Sequence, residues 1–370
     1  MTGSSSPVRL VSLDAFRGLA IAGMILVNNP GSWAHVYPPL RHASWHGCTP
    51  TDLIFPFFLF IVGVAIPLST NKRLGRGDSR RSLFLHVLRR SAILFGLGLF
   101  MAAFPRFDLE NLRIMGVLQR IGLVYFGAAT AYLFLRRRGR LLFLLPLLLL
   151  GYWALLTLVP VPAYGPGDLS PEGNLGAYLD RLILGDRLWQ QTWDPEGLLS
   201  TLPAVGTALL GMGAGEWILS DRSLSRKSLG LLVGGVGAMA LGLSWDLVFP
   251  MNKSLWTSSY VLFTAGVASA TLGTMFWVME VRERKTWARP LVVYGMNAIA
   301  VFVASGLLAK VLGILRVGSG ETSWKGWIYE NLFASWAVPL NASLAFALTY
   351  VLFWLALMWI LYRKGIFIKI

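Results

Sequence analysis

Long runs of apolar residues alternate with short polar segments along the whole chain. Ten runs have spanning length: 13–28, 53–70, 83–104, 114–135, 141–161, 198–219, 229–249, 255–278, 290–313 and 338–362. A helix crosses the hydrocarbon core with ~20 mainly apolar residues, so each run predicts one span. Barrel strands would show ~10-residue segments of alternating character, and these runs are longer and uniformly apolar. Pro67 and Pro146 fall inside spans, where helical bundles tolerate them. The pattern predicts an all-α fold, a polytopic membrane helical bundle of about ten transmembrane helices in a lipid bilayer, forming a single domain over 1–370. The aromatic segment 324–337 predicts an interfacial helix before the last span. No internal repeat and no low-complexity tract interrupts the pattern.

Composition agrees. Of 370 residues, 55% are hydrophobic and 14% charged, where a soluble domain carries about a quarter charged. The net charge of +15 would suit nucleic acid, but the basic residues flank spans, so they report topology rather than nucleic-acid binding. With the N-terminus inside, inner segments hold 20 Lys and Arg, among them Arg9, Arg136, Arg137 and Lys369, against 8 in outer segments. Both termini are therefore expected in the cytoplasm, and loops 28–56 and 162–197 outside. Asp14 and Arg17 interrupt the first apolar run and no small-residue cleavage site follows, which predicts an uncleaved first span. One cysteine allows no internal disulfide and does not report the redox compartment.

Chemistry concentrates in the outer stretch 28–56. It gathers His35, His42, His46, Cys48, Asp52, Asn28, Asn29, Trp33 and Trp45. A histidine with an ordinary value near ~6.5 exchanges protons at ambient pH. His42, His46 and Asp52 could also supply three ligands to zinc, although no HExxH pattern precedes them. Cys48 reads either as a nucleophile with a nearby base or as a small apolar filler. Inside the spans, ionisable groups default to functional hypotheses. Asp14 and Arg17, three apart, share a helix face and can pair; they read as a structural ion pair or as the charged lining of a cytoplasmic pore. Arg120 should face the bundle interior. Arg89 and Arg90 could line a site or snorkel to the headgroups.

RLVSLDAFRGLAIAGMILVNN followed by RHASWHGCTPTDLIFPFFLFIVG resembles the catalytic membrane domain of the heparan-α-glucosaminide N-acetyltransferase family. LRIMGVLQRIGLVYF, DPEGLLSTLPAVGTALLG, PMNKSLWTSSYV and PLVVYGMNAI resemble its further motifs, in the family's order. LDAFRG is also similar to the opening of the broader acyltransferase-3 membrane enzymes. The resemblance implies transfer of acetyl from acetyl-CoA, as co-substrate, to the amine of a glucosamine-type sugar across the membrane. It places the catalytic histidine at His42, the essential asparagine at Asn28 and the motif aspartate at Asp52. It also implies a homodimer, and for a bacterial member a place in the inner (cytoplasmic) membrane.

On that reading His42 removes the amine proton, Asp52 orients the imidazole, and the Asn28 amide is a donor for the tetrahedral oxyanion. Direct transfer and a transient acetyl-histidine use the same residues. Acetyl-CoA is expected to enter from the cytoplasm against Asp14, Arg17, Arg89, Arg90, Gln119 and Arg120, the arginines attracting its phosphates. The acceptor is expected outside, at Trp45, His46, Glu196, Asn252, Lys253 and Asn297. No metal is expected. Two other functions compete: an O-acyltransferase of a cell-wall or surface glycan, and a sugar transporter or lipid flippase. The latter class often shows paired half-repeats with broken helices, which the sequence does not display.

Overall fold

The computed structural model describes residues 10–135, 138–318 and 320–368. Arg9, Arg136, Arg137 and Lys369, which enter the basic asymmetry, lie outside the described residues. Among the described residues the apolar runs form helices, as they require: with no water in the hydrocarbon, backbone groups must be satisfied within each segment. In order the helices are α1 (Val11–Asn28), α2 (Ile54–Leu74), α3 (Arg80–Ala103), α4 (Val117–Leu135) and α5 (Arg138–Leu158). Then come α6 (Leu175–Leu184), α7 (Thr201–Leu219), α8 (Leu224–Asp246) and α9 (Ser258–Phe276). The last four are α10 (Arg289–Met296), α11 (Ala298–Ile314), α12 (Trp324–Tyr329) and α13 (Pro339–Arg363). Eight of them are long and apolar enough to span by themselves. α5 and the α10–α11 pair account for the other two predicted runs, so the chain is a multi-pass membrane protein with a helix at each predicted position.

One predicted span is corrected. The run 290–313 is broken at Asn297, where α10 and α11 meet at 70°. Asn297 has non-helical backbone angles (φ −120°, ψ 34°). Its side chain is tied to the last turn of chain after α13: the amide nitrogen donates to Ile366 O at 3.2 Å, and Ile368 N donates to the amide oxygen at 2.8 Å. Asparagine is a weak helix former that favours caps and turns, and a break inside a membrane bundle is tolerated where it borders a cavity. The segment 324–337 is helical over α12 and continues into a π-turn at Glu330–Ala334.

α1, α2, α4, α7 and α9 are the most buried spans, whereas α3, α8 and α13 present most of their surface outward. Lipid gives little hydrophobic drive between helices, so close contact relies on small residues. α1 and α10 show this most sharply. A Cβ on Gly18 would lie 1.8 Å from Leu291 O, and one on Gly295 1.9 Å from Asp14 O. The backbones thus touch at both points, which holds Asp14 and Arg17 beside the break at Asn297. α2 and α7 meet the same way, Gly63 against Ala208 O and Gly211 against Phe60 O.

The interhelical loops fall at two ends. Loops 29–53, 104–116, 159–200 and 247–257 share one end, bound to each other by Trp45 to Leu169, Gly47 to Met251 and Arg113 to Asp194. The opposite end carries the start of α1, whose Ser12 N–H donates to Glu280 at 3.1 Å, and the chain after α13.

Candidate active site

The site begins with a turn that the sequence writes locally. Thr49 caps the 3-10 turn Pro50–Leu53, with a reciprocal capping box closed by Asp52. Asp52 is 1% exposed. Its Oδ2 accepts from Thr49 N and from Ala43 N, each at 3.0 Å, and its backbone carbonyl accepts from the Tyr260 hydroxyl on α9. The Thr49 hydroxyl donates to Arg41 O at 2.7 Å and draws the loop closed. His42 is thereby brought to Asp52, Nδ1 to Oδ1 at 2.6 Å. A carboxylate only accepts, so Nδ1 carries the proton and Nε2 keeps its lone pair in the neutral ring. The His42 side chain is half exposed. A base, an orienting carboxylate and access to solvent therefore stand together.

The loop 247–257 packs onto this pair. Gly47 N donates to Met251 O at 2.7 Å. Asn252 is fully buried: its side-chain oxygen accepts from Leu255 N, and its amide nitrogen lies 3.5 Å from His46 Nδ1. Lys253 Nζ lies 3.0 and 3.2 Å from the two ring nitrogens of His42 and 3.7 Å from Asp52 Oδ1. Burial pushes the Lys253 ammonium down, and Asp52 opposes that. Burial also lowers His46, and it pushes the Cys48 thiol up to about 12, the Asp52 charge adding to the effect. Cys48 is thus a thiol at neutral pH rather than the thiolate that nucleophilic attack needs. Among the described residues His42, His46 and Asp52 do not gather into a metal-ligand group.

A second charged layer lies beside the first. Arg113 grips Asp194 through two nitrogens at 2.6 and 2.8 Å and reaches Glu196 at 2.6 Å. Arg120, completely buried, donates to Gly197 O at 3.1 Å and to the Ser200 hydroxyl, with its guanidinium 5.1 Å from the Trp256 ring. Trp45 donates to Leu169 O at 2.8 Å and meets Trp193 edge-on at 5.0 Å. Of the residues expected around the acceptor, Trp45, His46, Glu196, Asn252 and Lys253 share this end. Asn297 does not, being held by the chain after α13.

The opposite end holds a cavity of about 540 Å³, bordered by Asp14, Arg17, Arg90, Tyr125 and, along α2, Phe58 to Ser69. Those eleven steps of helix extend ~16 Å at ~1.5 Å each. Phe58 lies six residues beyond Asp52, so the cavity ends ~9 Å short of the carboxylate's level. Arg17 bonds Asp14 at 3.2 Å, and Arg90 lies over Tyr125 at 4.9 Å with its Nε buried and without a partner among the described residues. Phe367 and Ile368 form part of the wall, next to the Asn297 break.

The expected donor set divides accordingly. Asp14, Arg17 and Arg90 border the cavity. Arg89 is exposed on α3. Gln119 is buried in the space that Gly98 and Gly116 leave open. Arg120 belongs to the layer around Asp194 and Ser200, because its side chain points to the loop before α7. Asn28 is the exposed last residue of α1 and makes no hydrogen bond to His42 or Asp52; its neighbour Asn29 is buried and donates to Ile25 O at 2.8 Å. Arg113 and Asp194 escaped sequence reasoning as site residues. The Asp194–Glu196 pair in DPEG was their visible signal; the arginine it binds lies 81 residues earlier.

The family model described as heparan-alpha-glucosaminide N-acetyltransferase, catalytic, matches residues 9–237. The Homo sapiens protein named heparan-alpha-glucosaminide N-acetyltransferase is 32% identical over 423 residues, covering 99% of this chain and 61% of its own length. The Mus musculus protein of the same name is 30% identical, with 100% and 62% covered. The chain thus spans about three-fifths of the length of these relatives.

Proposed function

The chain belongs to the heparan-alpha-glucosaminide N-acetyltransferase catalytic family, and on that premise we propose that it moves acetyl from cytoplasmic acetyl-CoA to the amine of a glucosamine-type sugar on the other side of the membrane. The observation that carries this reading is the placement of two features on opposite ends of one bundle. The 2.6 Å His42–Asp52 pair faces solvent at one end, and an arginine-bordered cavity runs toward it from the other. A transporter has no need of a buried carboxylate that orients a solvent-facing histidine.

The amine must lose a proton to attack the thioester. Nε2 of His42 receives it as the N–C bond forms, and Asp52 stabilises the resulting imidazolium. Collapse breaks the C–S bond, and the same proton passes from Nε2 to the departing sulfur, so the ring ends neutral. Arg17 and Arg90 meet the anionic phosphates of the donor, while the apolar α2 wall from Phe58 to Ile66 accompanies the uncharged arm. Trp45 offers a ring face to the sugar, and Glu196, with Asp194 beside it, accepts from its hydroxyls. The basic asymmetry of the sequence supports a His42 end outside and a cavity end in the cytoplasm.

The test is mass-spectrometric detection of acetylated product when purified protein and acetyl-CoA meet a panel of amino sugars and neutral sugars. N-acetylglucosamine formed by the wild type and reduced ~10²–10⁴-fold by His42→Ala is the expected result. O-acetylated product alone would move the assignment to a glycan O-acyltransferase. No acyl product from any acceptor would remove the enzymatic reading.

A further inference from the structure

The sequence suggests Lys253 as a contact for the acceptor. Its geometry assigns it elsewhere. Nζ lies almost equally far, 3.0 and 3.2 Å, from the two ring nitrogens of His42. A hydrogen bond along the lone pair of one imidazole nitrogen would leave the other about 5 Å away. Nζ is therefore in line with neither nitrogen and lies over the ring face. Both in-plane positions stay open: Nδ1 for Asp52, and Nε2 for a substrate. Only 21% of the lysine side chain is exposed.

We propose that Lys253 is a positioning residue of the acyl-transfer step, its ammonium on the His42 ring face keeping that imidazole in the neutral, proton-accepting form. A cation seated there is attracted by a neutral ring and repelled by an imidazolium. Asp52 pulls in the opposite direction through Nδ1, so the base is set between a carboxylate in its plane and an ammonium on its face. The other charged and titratable groups around Lys253 act on it from neighbouring elements: Glu196 from the loop before α7 favours the ammonium, and Arg120 from α4 opposes it. Cys48, which also lies near Asp52, is held in its neutral form by burial first of all, and the Tyr260 hydroxyl is committed to the Asp52 backbone carbonyl. Asp52, 3.7 Å from Nζ, thus holds both partners at once. Lys253 cannot serve as an acyl carrier, because acetyl placed on its nitrogen would be a stable amide with no energy to pass onward. The inference rests on the acyl-transfer reading for its purpose, though not for its test.

The test follows His42 directly. Diethyl pyrocarbonate modifies neutral imidazole, and the rate at His42, followed by peptide mass spectrometry against pH, needs no acetyl transfer. Lys253→Met should move the acidic limb of that rate profile up by about one pH unit, from a unit charge ~4 Å away in a wet environment. Lys253→Arg should leave the limb in place. In acetyl transfer, the Met variant should lose most at low pH and converge on the wild type in alkali, with the acetyl-CoA KM unchanged. Lys253→Gln, nearer in shape and polarity, is measured alongside and should behave as Met does. Limbs that coincide in wild type and both neutral variants would overturn the proposal. So would an Arg variant displaced as far as the neutral ones. A raised acceptor KM at every pH, with the limb fixed, would return Lys253 to acceptor binding. Loss of all transfer in the wild type, with the limb still displaced in the variants, would strike the proposed function and leave the His42–Lys253 coupling standing.

Discussion

Asp52→Asn separates orientation of the base from folding of the loop. In the wild type Oδ2 takes two backbone N–H groups, from Ala43 and Thr49, while Oδ1 takes Nδ1–H of His42. An asparagine keeps the two backbone bonds only by placing its oxygen on the Oδ2 side. Its NH2 then faces Nδ1, which must become an acceptor, and the ring proton moves to Nε2. The nitrogen that should take the substrate proton is now occupied. The same exchange in a serine-protease triad costs ~10⁴ in turnover, so a loss of about 10³–10⁴ is expected here. Stability should fall only by ~1 kcal/mol, because the loop bonds survive without their charge assistance. Asp52→Ala should differ in kind, since it strips partners from two N–H groups and a ring nitrogen at ~1–3 kcal/mol each where water cannot replace them. Initial rates of acetyl transfer to glucosamine, with thermal unfolding in the same detergent, measure both. An Asn variant within tenfold of wild-type turnover would refute the tautomer argument. An Asn variant that unfolds as readily as the Ala variant would show that Asp52 acts on the loop alone.

Arg17→Ala should raise the acetyl-CoA KM by about tenfold or more, the value of one charge-assisted bond, with turnover nearly kept; Arg120→Ala should leave that KM alone and instead loosen the loop around Gly197 and Ser200, as hydrogen exchange of residues 194–200 would report. Asp180, buried at the edge of the same loop and accepting from Leu198 N at 2.8 Å, has its carboxyl pushed up to about 6 by burial. A carboxyl raised in the fold contributes stability that is complete below the unfolded value of 3.8 and is lost as pH rises through about 6. Protection of residues 175–200 from exchange should therefore increase as pH falls from neutral toward 5, and Asp180→Asn should flatten that dependence; equal slopes in both would contradict it.

Much of the architecture is legible in the chain because membranes impose one rule on every span: apolar length. That rule positions all ten runs, and helix periodicity alone pairs Asp14 with Arg17, found at 3.2 Å. The break at Asn297 is not legible. The flanking residues are apolar on both sides, and the bonds that hold it come from Ile366 and Ile368, about seventy residues on. His42 with Asp52 could be read because both lie within one loop and one capping turn. Lys253 reaches the same ring from 211 positions away, and Arg113 meets Asp194 across 81. No local pattern encodes such contacts. Arg120 misled for a related reason: an arginine inside a span must find partners in the bundle, but the sequence does not say from which end they come.

The central claim is that donor and acceptor meet through the protein from opposite faces. Sealed proteoliposomes of known sidedness, with labelled acetyl-CoA confined to the Arg17 face and glucosamine to the His42 face, test it most directly. N-acetylglucosamine appearing in the His42-face compartment, with none formed when the two substrates are exchanged across the membrane, is the predicted result. Equal product with both substrates confined to either single face would contradict it.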